Sequence, residues 1–252
     1  MMGCDGESTT PRRDVLVVTG LAFEADIARR CTGVEVLFGV GKAVLRGDLH
    51  TALADAAQRA AGIVSFGTAG ALDPALKPGD WLLADTVWDG SYEERQDPNH
   101  PHHYPRYACD RRWLATLAEC LPGAHRINLF AATDPVAAAA DKARLFADSG
   151  AAAVDMESGH LARLAKQYGI PFVACRVVMD RATHSLPDAA LAGMRDDGQT
   201  AITPVLRSLA RDPRQLGSLL RLAGDAWQAR RAMQTLGKRL PPRFGLANDA
   251  GI

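Results

Sequence analysis

The chain has 252 residues, 47% of them hydrophobic, enough to bury one sizeable core. Lys plus Arg and Asp plus Glu both number 29, so the overall basic excess expected of a nucleic-acid partner is missing. No run approaches the ~18 consecutive apolar residues of a membrane span, and residues 1–14 lack the apolar stretch of a secretory signal. The five cysteines are scattered, with no C-x-x-C pair. They read as free thiols of a reducing compartment, so the expected location is cytoplasmic.

Residues 1–13 read as a disordered leader. The β-branched run 15–19 stops at Gly20 and reads as a buried strand. A helix over 23–30 follows, then a strand over 34–38 that ends at Gly39-Val40-Gly41. Residues 42–61 are Ala/Leu-rich and helical. A third strand over 62–66 ends in a Gly67-Thr68-Ala69-Gly70 loop, and a fourth covers 81–87. Residues 89–108 form a polar loop rich in Pro and His. Beyond it come a helix over 113–120, a strand over 128–132, a helix over 138–148 and a short strand over 151–154. A helix over 157–168 precedes Gly169, a natural C-cap. A strand over 171–179 and helices over 188–209 and 215–236 complete the pattern. Strands alternating with helices predict an α/β sheet covered on both faces.

Several strands end at glycines, where backbone N–H groups can approach an oxygen-rich ligand. Two apparent motifs fail. Gly41-Lys42 is not a P-loop, because Val36 stands where its first Gly belongs and Ala43 follows the Lys. His100, His102 and His103 lie in the Pro-rich loop without helical or strand spacing, so no metal is expected.

Two segments carry chemistry together. One is Gly67-Thr-Ala-Gly-Ala-Leu-Asp-Pro-Ala-Leu-Lys-Pro-Gly-Asp80. The other is Ala153-Val-Asp-Met-Glu157, followed by Arg176-Val-Val-Met-Asp180. In this order they resemble the purine nucleoside phosphorylase and methylthioadenosine/adenosylhomocysteine nucleosidase superfamily, over about residues 14–182. The resemblance implies a single-domain α/β/α sandwich with a mixed central sheet over 14–209, and cleavage of an N-glycosidic bond of a nucleoside. It makes Asp180 the acid that protonates N7 of a departing adenine, a task that a positioned acid accelerates about 10²–10⁴-fold. Glu157 would accept hydrogen bonds from the ribose hydroxyls, and Met156 would lie against the sugar. Asp155 stands where the family often has Glu. Thr133-Asp-Pro-Val136 corresponds to the base-binding stretch, and no cofactor is implied.

The nucleophile is where the chain departs from the family. Nucleosidases carry Glu-Glu after the first strand, and the second activates water. Here Glu24 matches the first, and Ala25 takes the catalytic place. Met179 replaces the Ser before the acid, and Ser65 stands where one phosphorylase subgroup has Arg. The missing second Glu points to inorganic phosphate as co-substrate, cradled by Gly20, Gly67 and Thr68 with Arg46 as a cation. If water attacks instead, Glu24 or Asp26 is the base.

Residues 210–252 read as a basic C-terminal helix and tail. Between 211 and 243 eight basic residues face two acidic ones. Leu216, Leu219, Leu220, Ala223, Ala226 and Trp227 recur at helical spacing, which fits either packing on the core or lying on an anionic membrane surface. With this tail the chain resembles the nucleoside phosphorylases associated with hopanoid biosynthesis, which implies adenosylhopane, a lipid nucleoside, as substrate. A soluble methylthioadenosine or adenosylhomocysteine substrate stays open. So does a non-catalytic nucleoside-binding protein, favoured by Ala25 and Met179 and opposed by Asp180 and Glu157. The family likeness implies a homodimer or larger homo-oligomer, with the 89–108 loop able to cap a neighbour's pocket.

Overall fold

Strand β1 (Val15–Thr19) is buried at every position, and β2 (Val34–Phe38) lies parallel beside it as a half-exposed edge. The computed structural model describes residues 14–39, 48–90, 104–193 and 202–247. The leader 1–13, the glycine and basic segment with Gly41, Lys42 and Arg46, and the histidines at 100, 102 and 103 lie outside the described residues.

Eight strands form one mixed sheet in the order β2-β1-β3-β7-β6-β4-β5, with β8 pairing both β3 and β4. The long strands are β3 (Ile63–Ala71), β4 (Trp81–Asp89) and β8 (Phe172–Asp180). The short ones are β5 (Arg106–Ala108), β6 (His125–Ala131) and β7 (Ala153–Asp155). Each of β3 and β4 changes partner along one edge. Strand β3 pairs β1 through Ile63–Ser65 and then β7 through Gly70–Ala71. Strand β4 pairs β8 through Trp81–Leu83 and then β5 through Thr86–Trp88. The circuit β3-β7-β6-β4-β8 therefore closes on itself, as strongly twisted strands permit.

Helices α1 (Ala22–Ala28), α2 (Asp48–Arg59), α3 (Arg111–Cys120), α4 (Ala139–Ser149) and α5 (Ser158–Tyr168) connect these strands. Gly169 ends α5 in the left-handed conformation, as its position predicts. Helix α5 packs on β3, β4 and β8 and touches α2, while α1 touches β1 and α8 (Leu216–Leu236). The fold is thus the mixed α/β arrangement expected from the sequence.

Three elements differ from expectation. The third strand does not stop at Phe66 but runs through Gly67–Gly70, so that segment is strand rather than loop. Part of the 89–108 segment is β5, held on β4 with the Arg106 guanidinium 4.0 Å over the Trp88 ring. The helix expected over 188–209 is described as α6 (Asp188–Gly193) and α7 (Ile202–Arg211).

The end of the chain belongs to the same core. Ala229 and Met233 of α8 are wholly buried, and so is Phe244. The Phe244 ring meets Phe66 edge-on at 5.3 Å, and the Phe244 carbonyl accepts the Trp113 indole N–H at 2.8 Å. The Arg243 N–H reaches the Thr32 carbonyl at 2.8 Å, and the Cys31 thiol donates to the Pro241 carbonyl at 2.9 Å. The other face of α8 is different: Leu216, Leu220 and Trp227 are exposed. Helix α8 therefore packs inward by one face and presents an apolar stripe on the other. No helix among the described residues is long and apolar enough to cross a membrane.

Candidate active site

The site lies where β1, β3, β7 and β8 end. Glu24 is the third residue of α1, and from there its carboxylate folds back over the helix start. One oxygen accepts the Gly20 N–H at 3.1 Å and the Leu21 N–H at 3.0 Å. The first turn of a helix leaves such donors unsatisfied, and an acid at this position commonly takes them. The other oxygen accepts from Thr68, at 2.9 Å from its N–H and 2.8 Å from its hydroxyl. The carboxylate is 1% exposed. Burial raises its proton affinity above the ordinary carboxylate range, opposed by the Arg176 charge and by the bonds it accepts.

Arg176 is the cation of the site. It enters from the middle of β8, is 2% exposed, and sits opposite Gly67 in the register. Its guanidinium lies 2.6 Å from Asp155, 3.3 Å from Glu157 and 2.5 Å from the Ser65 hydroxyl. A Cβ at Gly67 would stand 2.7 Å from both Arg176 Nη1 and Glu24 Oε2, so only glycine lets β3 pass between them. Gly20 is similarly tight, with Glu157 Oε1 3.0 Å from where its Cβ would be.

Glu157 follows β7 and precedes α5, and its side chain is 14% exposed. Burial pushes its carboxyl up to about 7. Arg176 pulls it down, while the charges of Asp155 and Glu24 push it further up. Glu157 and Glu24 thus converge around Gly20 with one guanidinium between them.

Asp180 is the last residue of β8. It pairs with Gly70, three positions along β3 from the Gly67–Arg176 pair. At about 3.3 Å per residue, the backbone of the Gly70–Asp180 pair lies roughly 10 Å along β3 from the Gly67–Arg176 pair. Asp180 lines a cavity of about 200 Å³ with Thr183, His184, Ser185 and Leu186 of the following turn and Ser218, Arg221, Leu222 and Asp225 of α8. Its partner is Lys142 of α4, a fully buried ammonium that donates to the carboxylate and to the Arg181 and His184 carbonyls, both at 3.0 Å. Burial raises the Asp180 carboxyl, and Lys142 opposes the rise.

The structure brings Gly20, Glu24, Gly67, Thr68 and Glu157 together and sets Asp180 farther along the same strand pair. Met156 is half-buried beside Glu157. Asp155 is not free for substrate: it is wholly buried and engaged by Arg176, by the Ser158 N–H at 3.2 Å and by the Ser158 hydroxyl. Thr133 is exposed and Val136 packs in a satellite apolar cluster with Phe130 and Tyr104, so neither lines the Asp180 cavity. Their segment instead supports the cavity's turn, with Leu186 N–H donating to Ala137 O at 2.9 Å and Ala139 N–H to Ser185 Oγ at 3.0 Å. Arg46 lies outside the described residues.

Arg176 and Lys142 carry roles that the motifs did not assign. Both had a signal. Arg176 interrupts the apolar run of β8, and Lys142 occupies the stripe of Leu145, Phe146 and Ser149 on α4. A long cation in either place must have a buried partner.

The phosphorylase superfamily model matches residues 17–210, and the chain belongs to that family. The match places it among the enzymes of that superfamily. Solved structures share the fold at low identity. Futalosine hydrolase of Helicobacter pylori is 17% identical, with a TM-score of 0.60 over 79% of this chain and 98% of that one. The 5′-methylthioadenosine/S-adenosyl homocysteine nucleosidase of Helicobacter pylori is 15% identical, with a TM-score of 0.60 over 90% and 99%. S-adenosylhomocysteine nucleosidase of Streptococcus pyogenes, in complex with 5-methylthiotubericidin, is 16% identical, with a TM-score of 0.61 over 92% and 99%. No curated protein matches the chain by sequence.

Proposed function

We propose that this protein hydrolyses the N-glycosidic bond of a 5′-substituted adenosine, with water rather than phosphate as nucleophile. The observation that carries this reading is the carboxylate of Glu24 on the Gly20, Leu21 and Thr68 N–H groups. A phosphate needs those donors, and they already hold an anion that would repel it. Ala25, which the motif alignment puts in the catalytic place, is buried in the core. Glu24 delivers the carboxylate in its stead. Three of the bonds that it accepts come from fixed backbone groups. The fourth comes from the Thr68 hydroxyl, which rotates and can free a lone pair for water.

In this reading water attacks C1′ and passes its proton to Glu24. The C1′–N9 bond breaks, and adenine leaves neutral with a proton from Asp180 at N7. Glu157 holds the ribose hydroxyls as positive charge grows on the sugar. The products are adenine and the free 5-substituted ribose. Two of the similar solved structures are nucleosidases, which supports this reaction class. Mass spectrometry of the sugar formed in phosphate and in phosphate-free buffer tests it. Free ribose at an equal rate in both is expected; a ribose 1-phosphate would restore the phosphorolytic reading.

The exposed face of α8 favours a lipid-borne substituent on that adenosine. Leu216, Leu220 and Trp227 are 50%, 63% and 60% exposed, and Arg231 stacks on Trp227 at 5.3 Å. The α8 residues that line the Asp180 cavity, Ser218, Arg221, Leu222 and Asp225, fall on the opposite side of the helix from this stripe, so a bilayer on the stripe would tether the enzyme to the surface holding a membrane nucleoside without itself walling the cavity. Adenosylhopane is the candidate suggested by the sequence resemblance. Co-sedimentation with anionic liposomes, lost at high salt, is the expected result. Protein that stays in the supernatant at every salt leaves a soluble thioether nucleoside as substrate.

A further inference from the structure

We infer that Lys142 is the positioning residue for Asp180: it holds one carboxylate oxygen in place, and its charge governs when that carboxyl takes up the proton it gives to the base. The inference rests on the hydrolytic reading for the identity of the base. Its geometry stands on four observations.

Lys142 is 1% exposed, and its three ammonium protons have three acceptors: Asp180 Oδ2, Arg181 O and His184 O. The ammonium therefore fixes the carboxylate and also the first turn after β8, which lines the cavity. A Cβ added at Gly70 would lie 3.2 Å from Asp180 Oδ1 and 3.4 Å from Oδ2, so glycine keeps strand β3 clear of both carboxylate oxygens while Lys142 holds one of them.

Stability does not account for the pair. A buried ion pair is often no better than apolar residues of similar volume, because desolvation offsets the attraction. Lys142 lies on the inner stripe of α4 with Leu145 and Phe146, where Met or Leu would fill the space without a charge. The ammonium is placed where its effect on a carboxyl is largest.

The other charges near Asp180 are arranged around it rather than on it. Asp225 of α8 is engaged by Arg181 at 3.5 Å and by His184 at 3.8 Å, and Arg221 of α8 lines the far wall of the cavity. Strand β3 contributes no charge at Gly70. Lys142 is thus the cation in direct contact with Asp180. Burial favours the protonated acid, and Lys142 counters it. Without Lys142 the carboxyl would hold its proton to higher pH.

The test compares Lys142→Gln and Lys142→Arg with the wild-type protein, using 13C NMR of carboxyl-labelled aspartate. The Asp180 resonance is assigned by its loss in Asp180→Asn. In Lys142→Gln, which keeps amide donors for the two carbonyls, the Asp180 midpoint should rise by about one pH unit or more. The alkaline limb of kcat/KM should move up with it, since the reaction needs the protonated acid. In Lys142→Arg the charge remains, so the midpoint should stay while kcat falls through altered geometry. An unmoved midpoint in a folded Lys142→Gln protein would overturn the inference and leave Lys142 a structural prop. If Lys142→Gln does not fold, the Arg variant decides, because a displaced midpoint with the charge retained would equally overturn it. Absence of adenine release at every pH would count against the reaction, and the NMR midpoint would still judge Lys142.

Discussion

Glu24 Oε1 lies 2.8 Å from the hydroxyl of Thr68, a residue 44 positions away on strand β3. This contact joins the start of α1 to the middle of β3 and puts a carboxylate where backbone donors converge. Glu24→Gln should lower kcat at least ~10²-fold, and it should also lower the melting temperature, because the amide NH2 must face backbone N–H donors whose bonds a carboxylate oxygen now accepts. Single-turnover adenine release measures it. A loss under tenfold would remove Glu24 as the base.

Asp180→Asn tests the other end of the bond. The amide keeps the shape and offers no acidic proton, so a fall of at least ~10²-fold in kcat is expected. It leaves Lys142 without a carboxylate partner, and thermal unfolding should record a cost of a few kcal/mol, on the order of that for breaking a buried pair. Near wild-type turnover on the substrate would show that another group protonates the base.

Glu157 links pH to stability. Its carboxyl lies at about 7 in the folded protein, against 4.5 when free of burial. Between those values the folded chain binds more protons than the unfolded one, so stability is fullest below about pH 4.5 and falls as pH rises to 7. At about 1.4 kcal/mol per pH unit, the contribution is on the order of 3 kcal/mol. Glu157→Gln should flatten this part of the stability profile, as measured by urea unfolding across the range. An equal slope in the variant would place the proton elsewhere.

Glu157→Gln also bears on the sugar. If the carboxylate holds the 2′ and 3′ hydroxyls, its loss should cost ribonucleosides roughly 1.5–3 kcal/mol per bond in kcat/KM, and 2′-deoxy substrates less. Equal losses on both would take Glu157 out of the sugar site.

Gly67→Ala places a methyl 2.7 Å from both Arg176 and Glu24. Neither is the free end of a mobile chain, because both are held by several bonds. A destabilisation of roughly 1–3 kcal/mol and a loss of turnover should appear together. A variant that melts normally and turns over normally would show that β3 does not pass between these groups.

The last prediction concerns the end of the chain. Phe244→Ala should cost about 3–5 kcal/mol, the range for a buried aromatic truncated in a core. Removal of residues after 209 should unfold the protein, since Ala229, Met233 and Phe244 go with it. A soluble, cooperatively melting truncation would make the tail an appendage after all.

Much of the fold was legible because apolar runs and glycine caps are local signals. Strand β2 and the Gly169 cap stand where the residues predict. The extension of β3 through Gly67 and Gly70 was not legible. Glycine usually marks a turn, and here it marks close approach to Arg176 and Asp180, which only the folded chain brings near. The acids at 24, 157 and 180 came from a motif pattern, and the structure gathers 24 and 157. At Asp155 a sequence does not tell a carboxylate facing substrate from one engaged by a buried guanidinium, as it is here. The same blindness hid Arg176 and Lys142, whose partners sit 21 and 38 residues away.

The double pairing of β8 has a kinetic consequence. Its partners β3 and β4 precede it by about a hundred residues, so it docks only after a long loop has closed. Such non-local pairing makes for slow folding. Until it happens, Arg176 remains in water, and the acids at 24, 155 and 157 repel one another with no cation between them. Assembly of the pocket and completion of the sheet are then one event. The residues gathered at the candidate site would thus also set how fast the chain reaches its native state.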